Sequence, residues 1–177
     1  MTESDLVLPC CTGFFDGEGS IGIYESGSSR GRTLRVQLTQ NATVCSTVLL
    51  LECQSRWGGS LCVMNRTYAR PAWNWQVSAG AGAKALTDIR PWLRLKSEEA
   101  DIALEWWTKR PVPQRGPLGR YLPFTADQRA FDASAEKRLK AAKSANAPDR
   151  ITKLTLDGMD VIALEHTGGK ASGAEGH

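Results

Sequence analysis

Thr12-Gly13-Phe14-Phe15-Asp16-Gly17-Glu18-Gly19-Ser20-Ile21 sets two carboxylates two residues apart among three glycines. An apolar segment precedes it and an alternating, β-branched run follows. Such a stretch reads as a sharp helix-to-strand turn with acid at its tip, able to hold a hard divalent cation against phosphate. Glu18 is the preferred ligand, and the Gly17 carbonyl is its companion because glycine lets backbone approach an ion closely. Asp16 is open between a second ligand, a helix-terminal group and a packing group. An ordinary surface turn is the competing reading, since Asp-Gly and Glu-Gly favour one unaided. A calcium loop of the EF-hand kind fails, because Gly19 and Gly27 stand where ligands belong. A phosphate-cradling glycine loop fails too, because acid occupies the turn.

Working outward, Pro9 suits the first position of a short helix running through Phe15. Ile21 and Ile23 then alternate with Gly22 and Tyr24, and Leu34, Val36 and Leu38 alternate with Arg35, Gln37 and Thr39. Both runs read as half-buried strands. Asn41 suits an N-cap, with Val44, Val48 and Leu51 at helical spacing until Gly58-Gly59. Leu61 and Val63 alternate with Cys62 and Met64, and Trp73, Trp75 and Val77 with Asn74, Gln76 and Ser78. Helix resumes from Ala81, breaks at Pro91 and restarts after Ser97, where Ala100, Ala103, Leu104 and Trp107 form an apolar face. The order over residues 1–110 is helix, two strands, helix, two strands, helix. A Pro-rich linker follows, then a helix opened by a Thr125/Gln128 capping box with Phe131, Ala135 and Leu139 on one side. Ile151 to Glu165, with its Asp157-Gly158 turn, stays open between hairpin and helix. Residues 111–166 read as a basic, mostly helical extension and 167–177 as a disordered tail.

The chain has 177 residues, 41% of them hydrophobic, and a formal charge of +3. That is enough for a real core in one domain with an appended piece. Between Lys109 and Lys143 nine basic residues face three acidic ones, a candidate phosphate-binding surface or a solvated helix face. Five cysteines form no C-x-x-C pair, and the two histidines, His166 and His177, lie near the C-terminal end. A structural zinc site and histidine-centred hydrolysis are thereby disfavoured. Buried reduced thiols in a reducing compartment are expected. With no signal-like N-terminus and no bilayer-length apolar run, the cytoplasm or a bacterial nucleoid is the expected location.

An antiparallel sheet built from these strands has one apolar face for the helices. Its other face carries Tyr24, Arg35, Gln37, Thr39, Met64, Arg66, Asn74 and Gln76, with Arg30, Arg32 and Arg70 beside them. Arg, Gln and Asn match base edges in the major groove, where a β-ribbon can read. A solvated outer face would be polar too; acid at one end of the sheet favours nucleic acid.

Cys11-Thr12-Gly13-Phe14-Phe15-Asp16-Gly17-Glu18-Gly19, followed by Ser20-Ile21, resembles the motif of the LAGLIDADG homing endonucleases, single-motif branch. The element order agrees, as do Leu38-Thr39-Gln40 and Arg90-Pro91-Trp92-Leu93-Arg94-Leu95-Lys96. The resemblance covers about residues 5 to 110 and implies an α+β fold: an αββαββα core with a four-stranded antiparallel DNA-binding sheet. It implies that Glu18 and the Gly17 carbonyl bind Mg²⁺, with Mn²⁺ as a substitute, and that Gln40 and Lys96 lie near the cleavage site. One motif copy implies a homodimer, its motif helices packed side by side through Gly13, Phe14 and Gly17, although turn or packing roles explain the two glycines equally well. The partner would be double-stranded DNA at a palindromic or near-palindromic site. Cys11 and Thr12 replace the usual Leu-Ala, and Val44 stands where some relatives carry a basic residue. No counterpart of the segment after Pro111 is expected in the minimal family domain. The expected activity is double-strand cleavage of DNA, as in intron homing; the alternative is an uncleaving DNA- or RNA-binding relative, a maturase or regulator.

Overall fold

In the computed structural model the described residues are 3–25, 31–64, 71–116, 118, 121–146, 154–156 and 159–161. They form helix α1 (Glu3–Glu18), strands β1 (Gly19–Glu25) and β2 (Arg32–Asn41), helix α2 (Val44–Trp57), strands β3 (Ser60–Met64) and β4 (Ala72–Ser78), and helices α3 (Ala79–Ile89), α4 (Ser97–Lys109) and α5 (Ala126–Ala145). A 3₁₀ turn at Arg90–Trp92 links α3 towards α4. The expected α+β architecture with a four-stranded antiparallel sheet is what the chain adopts.

Strand order is β1-β2-β4-β3, all neighbours antiparallel. Period-two alternation puts Ile21, Ile23, Leu34, Val36, Leu38, Trp75 and Val77 on the face beneath the helices, all buried. The helices add Phe15, Leu50, Leu86, Ala100, Ala103 and Trp106 to one core. Three tryptophans keep their indole N–H partnered: Trp57 donates to Asp88 (2.9 Å), Trp75 to the Gly58 carbonyl (2.9 Å) and Trp106 to Asp132 (2.9 Å). A buried N–H left without an acceptor would cost more than the bond contributes.

Four local expectations need correcting. Pro9 lies inside α1 rather than at its first position; the helix extends N-terminally despite losing one backbone donor. Asn41 ends β2, and Thr43 caps α2 through a reciprocal box with Ser46. That cap sets the helix phase so that Ser46, Leu50, Cys53 and Trp57 face inward. Val44, Val48 and Leu51 are therefore exposed, at 81%, 53% and 49%. On α4 the buried aromatic is Trp106, while Trp107 is half-buried under the Arg110 guanidinium, 3.4 Å from its ring centroid. Of the five free cysteines only Cys11 and Cys53 are buried, their sulfurs 3.9 Å apart.

The Thr125/Gln128 capping box opens α5 as expected. Ala135, Leu139 and Ala142 are buried, and α5 packs on α4 within one compact unit, residues 1–146. Residues 147–177 form a second unit. There Leu154–Leu156 pairs antiparallel with Met159–Val161, so the described residues of that segment are strand rather than helix. Residues 167–177 lie outside the described residues.

The α2–β3 turn shows how tightly the backbone is packed. Gly58 and Gly59 have φ of 73° and 91°, and a Cβ on Gly59 would sit 2.3 Å from the Gln76 carbonyl oxygen. Gly59→Ala should lose about 2–4 kcal/mol of stability, combining a left-handed backbone with a backbone clash. Urea unfolding measures this; a midpoint within error of wild type would show that β3 can shift.

Candidate active site

Helix α1 ends where β1 begins, and this junction gathers the chemistry. Glu18 is the last helical residue. It is exposed and forms no hydrogen bond or ion pair among the described residues. A carboxylate at the negative end of a helix dipole gains nothing from its own helix. Together with nearby carbonyl oxygens it makes an all-oxygen edge suited to a hard cation.

Asp16 faces the other way and is buried. Its carboxylate accepts the backbone N–H groups of Arg94 (2.8 Å), Leu95 (2.9 Å) and Lys96 (2.8 Å). Burial opposes its ionisation. The N–H groups of Leu95, Arg94 and Lys96, then the Lys96 ammonium, outweigh that and hold the carboxyl below its ordinary range. Of its three sequence readings, the packing and helix-terminal roles fit; Asp16 orders the loop before α4.

The loop returns Lys96 to the same helix end. Its ammonium donates to the Asp16 carbonyl and, at 3.3 Å, to the Gly17 carbonyl. An ammonium already rests against the one carbonyl expected to bind metal, while the Glu18 carboxylate forms no ion pair with it. The Glu18 carboxylate and the Gly17 carbonyl are hard oxygen donors of the kind a divalent ion takes, with one carboxylate from this chain. Among the described residues no group of three or more His, Cys, Asp or Glu side chains is placed to hold a metal.

Gln40 is half-buried two residues past Leu38, which pairs with Gly19, so it lies at the same end of the sheet as Glu18. It has the parity of Leu38 and faces the helix side. Glu18, Gln40 and Lys96, distant in sequence, therefore share one end of the sheet. Gly13 and Gly17 are exposed on α1, and a Cβ added to either would meet nothing within 4 Å. Phe14 is half-buried and packs against the core.

The outer face is arranged in cross-strand rows. Gly22, Arg35 and Ser78 form one, and Ser20, Gln37, Gln76 and Ser60 the next. Thr39, Asn74 and Cys62 form the row nearest Glu18. Gln37 donates to Thr39 (3.4 Å), whose hydroxyl donates to Asn74 Oδ1 (2.9 Å), leaving the Asn74 amide N–H groups outward. Met64 ends β3, 39% exposed, and Tyr24 is exposed on β1.

Arg32 does not belong to this face. It has the parity of Leu34, its guanidinium pairs with Glu136 of α5 and lies 3.6 Å from Glu25, and it tethers the start of β2 to that helix. Arg30, Arg66 and Arg70 lie outside the described residues. In the basic block, Lys109 and Arg138 pair with Glu105, Arg110 covers Trp107, Arg115 contacts Tyr121 and Arg129 donates to the Phe124 carbonyl. Lys137 and Lys140 stay exposed on α5. Sequence reading missed the grip of Asp16 on the 94–96 loop, which spans 78 to 80 residues and leaves no local signal.

No protein-family model matches this chain, and no curated protein matches it significantly. Solved structures do. The homing endonuclease I-CvuI, in complex with its target in the presence of 2 mM Ca, aligns with a TM-score of 0.55 at 16% identity. That alignment covers 82% of this chain and 85% of that one. The same enzyme with the I-CreI target and 2 mM Mg, its DNA not cleaved, gives 0.55 at 17% identity, covering 83% and 85%. This chain has the fold of the LAGLIDADG homing endonucleases. An alignment over 82% of 177 residues cannot end at residue 110. The likeness to that structure therefore extends past Pro111. No helix among the described residues is long and apolar enough to cross a membrane.

Proposed function

We propose that this chain is one subunit of a homodimeric, divalent-metal-dependent, site-specific endonuclease acting on double-stranded DNA. The observation that carries the reading is the α1–β1 junction. Glu18, which has no hydrogen bond or ion pair among the described residues, the Gly17 carbonyl with the Lys96 ammonium against it, and Gln40 lie at one end of a sheet whose outer face is polar.

A divalent ion held by Glu18 and the Gly17 carbonyl would activate a water and neutralise charge on the phosphoryl oxygens. Asp16 fixes the loop so that Lys96 stays within reach of the scissile phosphate and its water. Gln40 supplies an amide at the same end for orienting that water. Rows led by Arg35, Gln37 with Gln76, and Thr39 with Asn74 supply donors and acceptors to base edges. Exposed Lys137 and Lys140 add phosphate contacts.

One protomer offers one acid, whereas cutting both strands needs two such sites. The open α1 face at Gly13 and Gly17 lets two motif helices approach closely, and a two-fold axis between them predicts a palindromic or near-palindromic target.

Incubating the protein with a randomised duplex library and Mg²⁺ tests the proposal. Recovered ends should converge on one two-fold-symmetric site, and the protein should run as a dimer. Selective binding without any cut ends, in Mg²⁺ or Mn²⁺, would instead make it a binding relative.

A further inference from the structure

Arg35 occupies an unusual position on the outer face. It lies on β2, an interior strand, in the row between Gly22 and Ser78. Both row neighbours are small, so no bulky side chain of its own row covers it. Its guanidinium carbon stands 4.7 Å from the centroid of the Tyr24 ring. That ring lies over Gly22: a Cβ at Gly22 would be 2.2 Å from Tyr24 Cε2. Glycine here is what allows tyrosine to lie flat on the sheet and serve as a platform.

The remaining contacts of Arg35 are equally telling. Its Nε is buried with no hydrogen-bond partner, and no carboxylate pairs with it among the described residues. A solvated arginine would swing outward and give that N–H to water. Here the side chain is held by its stack, and its Nη groups make no hydrogen bond among the described residues.

We propose that Gly22, Tyr24 and Arg35 form one recognition unit that reads a guanine in each half-site, Arg35 donating from its planar fork to O6 and N7. The assignment rests on the outer face being the DNA-reading surface, as proposed above. Backbone phosphate is the competing anion and can take the same fork bidentately, but Arg35 stands on an interior strand of the reading face rather than at its rim, where a base edge is the nearer partner. Arginine held flat against an aromatic ring matches the directed, bidentate geometry of a base edge. Tyr24 and Gly22 are positioning residues: they hold the fork without touching the base.

Selection of bound duplexes from a randomised library without metal, followed by sequencing, tests this. Wild type should enrich guanine at one position per half-site. Arg35→Ala, Arg35→Lys and Gly22→Ala should each lower preference at that position about ten- to a hundredfold and leave the others unchanged. Thermal melting of each variant checks its folding, and Gly22→Ala keeps the charge, so its loss would isolate geometry. A uniform loss of affinity for Arg35→Ala, with the salt slope reduced by about one, would mark a phosphate contact and overturn the proposal. So would wild-type base preferences retained in all three variants, with the parent reading left intact. A wild-type protein that enriches no sequence removes both.

Discussion

Glu18→Gln should abolish cleavage by about a thousandfold or more while DNA binding without metal stays within about threefold of wild type. Glutamine preserves the length of the side chain and its capacity to hydrogen-bond. Only the negative charge that would hold a cation is lost. Because Glu18 is exposed and forms no hydrogen bond or ion pair among the described residues, folding should not suffer. It sits at the C-terminal end of α1, where a carboxylate faces the negative end of the helix dipole, so neutralising it should leave the melting temperature unchanged or slightly higher. Approach of DNA phosphates should become easier for the same reason, giving equal or tighter metal-free binding. Nicking of supercoiled plasmid carrying the selected site, in Mg²⁺, reads the first effect. Retained cutting would remove Glu18 from the chemistry, and lost binding would make it a contact residue instead.

The sheet and the first helix end were legible because their signals are local. Alternation at Ile21/Ile23 and Leu34/Val36/Leu38 gave the face, and the glycine-flanked acids gave the turn. The same parity also told against Arg32, which falls in step with Leu34 and so faces the helices. Helix α2 misled because two apolar sets share its length. Val44, Val48 and Leu51 are at helical spacing, but so are Leu50, Cys53 and Trp57. The choice between them is tertiary: Trp57 reaches Asp88 (2.9 Å), and Ser46 is buried with its hydroxyl donating to the Asn41 carbonyl (2.6 Å). A serine pointing inward has no hydrophobic signature. That Glu18, Gln40 and Lys96 share one end of the sheet was legible from residue type and resemblance. What joins Lys96 to Glu18 was not, because the link is three backbone donors converging on Asp16.

That link makes Asp16→Ala costly in stability, by about 3 kcal/mol. Three N–H groups would lose a charged acceptor at once. Partial rehydration of the loop keeps the sum below three independent charged hydrogen bonds. Asp16→Asn should recover part of this, since its amide oxygen can accept from Arg94 and Leu95 while its nitrogen is left facing the Lys96 N–H, and the charge is lost. Both variants should also cut more slowly at temperatures where they remain folded, because Lys96 is released from the helix end. The pH dependence carries its own signature. The folded Asp16 carboxyl titrates below its ordinary 3.8, so its contribution is complete above that value. As pH falls from there the unfolded chain takes up the proton first, and the stabilisation drains away until it is gone below the folded pKa. Asp88 and Asp101 are lowered too, by the Lys84 ammonium and Trp57 indole at Asp88, against burial, and by Arg90 at Asp101. Acid unfolding therefore persists in the variant, and the diagnostic quantity is the difference between the two proteins. Urea titrations from pH 7 to pH 2 should show that difference constant down to about pH 4 to 5 and narrowing below it. A gap that stays constant to pH 2, or widens, would mean that the carboxylate is not what holds residues 94–96 in place.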